Sequence, residues 1–276
     1  MAVIAGTTSC DDFLDREPMS SISPETYYST AAQLEANLND EYPNVLPSFG
    51  QWTYGIFGED KGTDNQIEVN ANDRYTQDRW KVPHSESDNW KFERIYRINF
   101  FLSEALPKFG EDMSGSQNTI SGSVATIKHY IGEMYFLRAY EYFKKLQLFG
   151  DFPIIDQPLA DEMEALREAS KRFPRNEVAR FIISDLDKAY AYMSDVDMAT
   201  TRINKDAAML VKSRVALFEA TWLQNFKGTA FVPGGEGWPG ASLHNNYQYP
   251  SGNLDNEVKY FLEQAVEASK LVADKY

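Results

Sequence analysis

The sequence has one cysteine, Cys10, in 276 residues. An intrachain disulfide is excluded, so stability must come from an ordinary packed core. Histidine is scarce too, limited to His84, His129 and His244. There is no H-E-x-x-H, no paired cysteine and no other usual metal spacing. No G-x-S-x-G elbow or phosphate-cradling glycine loop occurs. No run of about 18 apolar residues is present, so no segment reads as a membrane-spanning helix. Basic residues are the minority, 27 Lys and Arg against 41 Asp and Glu, and they do not cluster. With a net charge of −14, a groove that tracks phosphates has nothing to be built from, which argues against nucleic acid as partner.

Other features are abundant. The chain is 43% hydrophobic and 25% charged, a globular composition. Aromatics are plentiful: 17 Phe, 16 Tyr and 5 Trp. Tyr and Trp serve either as core or as flat amphipathic binding surfaces, so their position relative to helical stripes matters.

Helical patterns dominate. "SPETYY" sets Ser23 as an N-cap with Pro24 at the first helical position. In "TAAQLEANLNDEY", Thr30 and Gln33 have capping-box spacing and Leu34, Leu38 and Tyr42 share a face; Pro43 and Pro47 are expected to stop the helix. "NWKFERIYRINFFLSEALPKF" carries a stripe of Trp90, Ile95, Ile98, Phe101 or Leu102, and Ala105. "ATIKHYIGEMYFLRAYEYFKKLQLFGDFPII" is apolar nearly all round, as in a helix packed between neighbours. Gly132 and Ala139 permit close helix approach, Gly150 reads as a C-terminal cap, and Pro153 extends the chain.

Three further amphipathic helices follow. The first has Asn176 as expected cap and Val178, Ile182, Ala189 and Met193 on one face. The second has Asn204 as cap and aligns Ala208, Val211, Val215, Phe218 and Trp222. The third aligns Val258, Leu262, Ala265, Ser269 and Val272. The fold class is therefore all-α, with helix pairs interrupted by two long irregular aromatic-rich loops, one over 48–88 and one before the last helix with Phe231, Trp238, Tyr247 and Tyr249. Gly132, Tyr135, Ala139 and Phe143 have the chemistry of a tetratricopeptide unit at shortened spacing. The pattern ends inside a helix with no cap after Tyr276, so a C-terminal truncation is expected.

The candidate chemistry is a binding surface. A sugar ring offers apolar C–H faces for stacking and a fringe of hydroxyls for Asn, Asp and Arg. "DNQIEVNANDRYTQDRW" supplies both, with Asp64, Asn65, Arg74, Tyr75 and Trp80 as candidate ligand residues and Asn72 beside them. The competing reading has Tyr75 and Trp80 pin a long loop to the helices. Trp90 and Trp222 lie on helical stripes and read as structural, and His129 reads as a satisfied core residue. His84 and His244 read as solvated loop residues. A hydrolase would need a carboxylate pair, for which Glu59, Asp60 and Asp64 are available. "NANDRYTQD" lacks the central Gly and terminal Glu of an EF-hand loop, so no metal or other cofactor is called for.

"SCDDFLDREP", "NWKFERIYRINFFL", "GEMYFLRAYEYFKKLQLFGDFPII", "NEVARFIISDLDKAY" and "TTRINKDAAMLVKSRVALFEA" in this order resemble the SusD/RagB family of Bacteroidota outer-membrane lipoproteins. The resemblance implies a cell-surface, non-enzymatic protein of tetratricopeptide-like helix pairs. Such a protein captures oligosaccharides, or in some members peptides, and passes them to a SusC-like TonB-dependent transporter. It also implies a division into residues 1–10, a signal remnant ending in a lipidated Cys10, and residues 11–276, a SusD-like helical domain. "TTSC" supplies the small residues expected before such a cysteine, although Thr7 stands where a larger aliphatic is usual. The alternatives are capture of peptides or another nutrient on the same scaffold, or a glycoside hydrolase.

Overall fold

The computed structural model describes residues 27–47, 65–66, 89–110, 112–194, 198–199 and 201–276. These residues form seven α-helices and no strand. The helices are α1 (Ala31–Val45), α2 (Glu93–Phe109), α3 (Val124–Phe149), α4 (Met163–Ala169), α5 (Arg175–Tyr192), α6 (Lys205–Asn225) and α7 (Leu254–Ala273). Helix α3 is central, with α1, α2 and α5 packed against it; α6 then packs on α5, and α7 on α6. The fold is all-α and built from helix pairs in chain order.

Local chemistry explains the boundaries. Thr30 and Gln33 form the capping box: the Thr30 hydroxyl accepts from Gln33 N, and the Gln33 side chain accepts from Thr30 N. Leu34, Leu38 and Val45 are buried from α1, with Glu41 in the same stripe. Pro43 does not stop the helix. It removes its own amide bond only, and Leu46 N still donates to Tyr42 O at 2.9 Å, so the end falls just before Pro47. The Ser23–Pro24 start lies outside the described residues.

Almost every residue of α3 from His129 to Phe143 is buried, as its all-round apolar pattern requires. Gly132 permits the α3–α5 contact. A Cβ there would stand 2.8 Å from Met193 N and 2.9 Å from Ala189 O, both backbone atoms that cannot step aside. At the far end Gly150 caps α3 with φ +69°. Asn204 caps α6 by accepting from Ala207 N at 2.9 Å.

Three expectations shift. Helix α5 begins at Arg175 after Pro174, because the Asn176 amide is turned inward to Tyr247 and Glu257 rather than to its own backbone. The buried stripe of α7 is Glu257, Phe261, Ala265, Ala268 and Val272, while Leu262 is exposed. Helix α4 has no counterpart in the sequence reading, since none of its seven residues is buried.

His129 is a satisfied core residue. Its Nδ1 accepts from Ser194 N, so Nε2 carries the proton and faces Ile203 O at 2.9 Å and Glu133 at 3.0 Å. Glu133 in turn gathers Arg202 and the Tyr42 hydroxyl, tying α1, α3 and the approach to α6 together.

Candidate functional site

The strip between α3 and α5 is held by side chains of the "FLRAYEYFKKLQLFGDFPII" segment. Arg138 and Tyr142, one helical turn apart, face the same way. Arg138 donates to both carboxylate oxygens of buried Asp185 at 2.6 and 2.8 Å, and to Asn99 Oδ1 and Asp156 O at 2.9 Å each. The Tyr142 hydroxyl accepts from Ile155 N at 2.8 Å and donates to Ile155 O at 3.0 Å. Phe152 and Phe173 then pair backbone to backbone as an antiparallel bridge.

Asp151 of the Gly-Asp-x-Pro exit has two partners. It accepts from Arg175 N, the first residue of α5, at 2.9 Å, and from Trp238 Nε1 at 2.7 Å. A carboxylate at a helix start is favourable twice, by hydrogen bond and by dipole. Burial pushes the Asp151 carboxyl above its ordinary value, with those two bonds opposing the rise. Arg175 itself is buried, forms a bidentate pair with buried Glu219, and lies 4.1 Å from the Trp222 ring centre.

The second aromatic loop folds onto this corner. Trp238 is 5% exposed and stacks with His244. Tyr247 bonds the Asn176 amide, and Tyr249 donates to Pro233 O at 2.6 Å. His244 is half-buried and bonded to Arg172 O, so it is not a solvated loop residue: its flat ring fills the space beside Trp238. Trp90 is structural as expected, sitting among Phe92, Phe149 and Phe152. Trp222 lies on α6 as expected, with its Nε1 donating to Phe231 O at 3.0 Å.

What the loop leaves open is a cleft of about 510 Å3 over the α3–α5 corner. Its walls include the Trp222 ring and the exposed side chains of Leu148, Phe231 and Leu243, with Arg172 at the edge. Apolar walls beside the guanidiniums of Arg172 and Arg175 suit the C–H face of a ring carrying polar substituents. Asp151 is the one carboxylate among the described lining residues, and both its oxygens already accept hydrogen bonds. Among the described lining residues there is therefore no carboxylate pair of the kind glycoside hydrolysis uses. Among the described residues no group of three or more His, Cys, Asp or Glu could hold a metal ion. No helix among them is long and apolar enough to cross a membrane.

Of the candidate ligand residues, Asn65 is described and is exposed. Asp64, Arg74, Tyr75 and Trp80 lie outside the described residues, as do the lipidation candidate Cys10, the carboxylates Glu59 and Asp60, and His84. The cleft residues Leu148, Arg172, Phe231 and Leu243 were not legible as a group. They come from the end of α3, the approach to α5 and the loop between α6 and α7, and an exposed apolar residue is unremarkable in sequence.

The described residues define an all-α scaffold whose buried ion pairs border an aromatic-walled cleft. Comparison with known proteins narrows this class. The SusD-like family described as starch-binding associating with outer membrane matches residues 12–217. The chain belongs to the SusD-like family. It is similar to SusD-like protein P2 of Formosa agariphila, 26% identical over 235 residues that make up 81% of this chain and 43% of that protein. SusD-like protein P25 of the same organism is 25% identical over 78% of this chain and 41% of its own length. The chain thus spans about two fifths of the length of these curated relatives. Among solved structures, a SusD-like carbohydrate binding protein from Bacteroides fragilis aligns with a TM-score of 0.47 and 19% identity, over 73% of this chain and 40% of that one.

Proposed function

We propose that this chain is the helical part of a cell-surface lipoprotein that captures oligosaccharides and delivers them to a SusC-like TonB-dependent outer-membrane transporter, without catalysis. Membership of a family described as starch-binding and outer-membrane-associated is the observation that carries this reading.

In this reading, stacking on aromatic rings supplies most of the contact and hydrogen bonds at the ring's edge supply orientation. Trp80 and Tyr75 are the proposed stacking residues, with Asp64, Asn65 and Arg74 on the hydroxyls. Cys10 carries the lipid anchor. Affinity is modest, because a ligand that is handed on must also be released.

Titration of the full-length protein with oligosaccharides tests the reading. Trp80→Ala is expected to weaken binding by about tenfold or more, taking the lost stack as about 1–3 kcal/mol by analogy with a base stacked on an aromatic side chain. Unchanged affinity would remove Trp80 from the site. Turnover of a bound glycan, abolished by Asp60→Asn, would replace the reading with a hydrolase. Mass spectrometry of membrane-extracted native protein tests the anchor, and an unmodified Cys10 would exclude it.

A further inference from the structure

A second cavity, of about 250 Å3, lies between the end of α1 and the start of α2 and is lined by Glu41, Asn44, Glu93, Arg94 and Arg97. That volume is several times the ~30 Å3 a water molecule occupies in the liquid. In the chain, these residues stand at the two ends of the segment between α1 and α2, which contains the aromatic-rich stretch of the sequence.

Glu41 is out of place in its helix. It occupies the buried stripe between Leu38 and Val45 and is 1% exposed. Its Oε1 accepts from Arg97 Nε, and Arg97 also pairs with Asp40. Its other oxygen, Oε2, is buried with no partner, and so is Nη1 of Arg94. Among the described residues these are the two buried side-chain polar atoms left without a hydrogen bond, and both belong to residues lining this one cavity. Native structures leave few such atoms open, and a charged one is costly to leave so.

The lining selects what could answer them. Among the described lining residues, Glu41 and Glu93 balance Arg94 and Arg97 in charge. A carboxylate or sulfate placed here would face Glu41, and an ammonium would face two guanidiniums. A hydroxyl meets neither penalty, because it donates to a carboxylate oxygen and accepts from a guanidinium N–H at once. We infer that this cavity is a subsite for a hydroxyl group of a neutral saccharide, held between Glu41 Oε2 and Arg94 Nη1. The inference rests on the glycan-capture reading and deepens it, by excluding uronates and sulfated sugars from this position.

The test is calorimetric titration of the full-length protein with neutral hexasaccharides (cello-, laminari-, malto- and xylohexaose) and with a mannuronate hexamer. At least one neutral sugar should bind, and the mannuronate should bind at least tenfold more weakly. Glu41→Gln keeps the side chain's size but removes the ionised acceptor, and Arg94→Met keeps the stem but removes the donor. Each should weaken the neutral sugar by about tenfold or more, as expected for loss of a hydrogen bond to a charged group. Within a monodeoxy series of the bound sugar, one member should lose about tenfold on the natural protein and lose nothing further on Glu41→Gln. That discrimination does not depend on either variant's stability, and the natural protein and Arg94→Met carry it if Glu41→Gln fails to fold. Equal affinity in both variants, with no discriminated deoxy sugar, means the cavity holds only water; the inference then falls and glycan capture stands. Preference for the mannuronate also overturns the inference alone. Failure of every sugar to bind overturns both.

Discussion

The Arg138–Asp185 pair allows a quantitative test of what holds the α3–α5 core together. Both side chains are buried, at 3% and 0% exposure, and the guanidinium meets the carboxylate through two parallel bonds. Replacing Asp185 with Leu leaves a buried guanidinium with Asn99 Oδ1 and Asp156 O as its remaining partners. Breaking such a pair from one side costs about 3–5 kcal/mol. For a chain of this size that corresponds to a fall in Tm of about 6–20 °C. Arg138→Met strands the Asp185 carboxylate and falls in the same range. The double variant Arg138→Met/Asp185→Leu removes both charges, so the stranded-charge penalty disappears. What it leaves is Asn99 Oδ1 without its donor, at about 1–3 kcal/mol. Asp156 is exposed, so its carbonyl can turn to water. The double variant should therefore be more stable than either single one. Urea unfolding followed by circular dichroism and tryptophan fluorescence measures all four corners of the cycle. Additive losses in the double variant, or a single-variant loss below about 1 kcal/mol, would refute the reasoning.

Gly132→Ala drives a methyl into backbone atoms of Met193 and Ala189, and should cost about 1–3 kcal/mol by overpacking in the same unfolding assay, whereas Ala139→Gly combines lost helix propensity with the loss of a buried methyl. Burial raises the Glu257 carboxyl, but hydrogen bonds from Arg180, Asn176 and Ser251 outweigh it and the net value lies below the ordinary one. A lowered folded-state pKa means that this group's stabilisation is present above the unfolded value of about 4.3 and is lost as pH falls through the folded value. The stability gap between natural protein and Glu257→Gln should accordingly be largest near neutral pH and close in acid, and a gap that widens in acid would contradict the assignment. Trp238→Phe removes the Nε1–H bond to half-buried Asp151, with an expected loss of about 1.5–3 kcal/mol. Limited proteolysis should then cut first in the loop between α6 and α7.

Most of the helical architecture was legible because its signals are local. The Thr30–Gln33 box, the Asn204 cap, the Gly150 stop and the all-round apolar run of α3 each act over a few residues. Signals that act at a distance were not. The start of α5 depends on Asp151, 24 residues upstream, and the Asn176 amide is taken by Tyr247, 71 residues away. In the α7 stripe Ala265 and Val272 are buried as expected, while Val258, Leu262 and Ser269 each miss by one residue because Glu257 is drawn inward by Arg180, against its apparent preference for water. For the same reason a charged residue in an apolar register was the overlooked clue at Glu41: the Leu34, Leu38, Val45 face already contained it. The sugar-contact residues chosen from sequence rest on stacking chemistry, with Asn65 alone among the described positions.

The bridge between Phe152 and Phe173, together with the bond from Arg175 N to Asp151, has a practical consequence for engineering. It brings the two ends of the excursion that carries α4 close together, and Arg138 and Tyr142 fix the backbone just inside one of them. No residue of α4 is buried. Loop closure there is set by the flanks rather than by the excursion, and each doubling of a loop's length costs only about 0.6 kcal/mol. An epitope tag or a small fluorescent reporter spliced between Glu162 and Ser170 should thus be carried on the outside of a folded core, giving a label whose position leaves both cavities described above untouched.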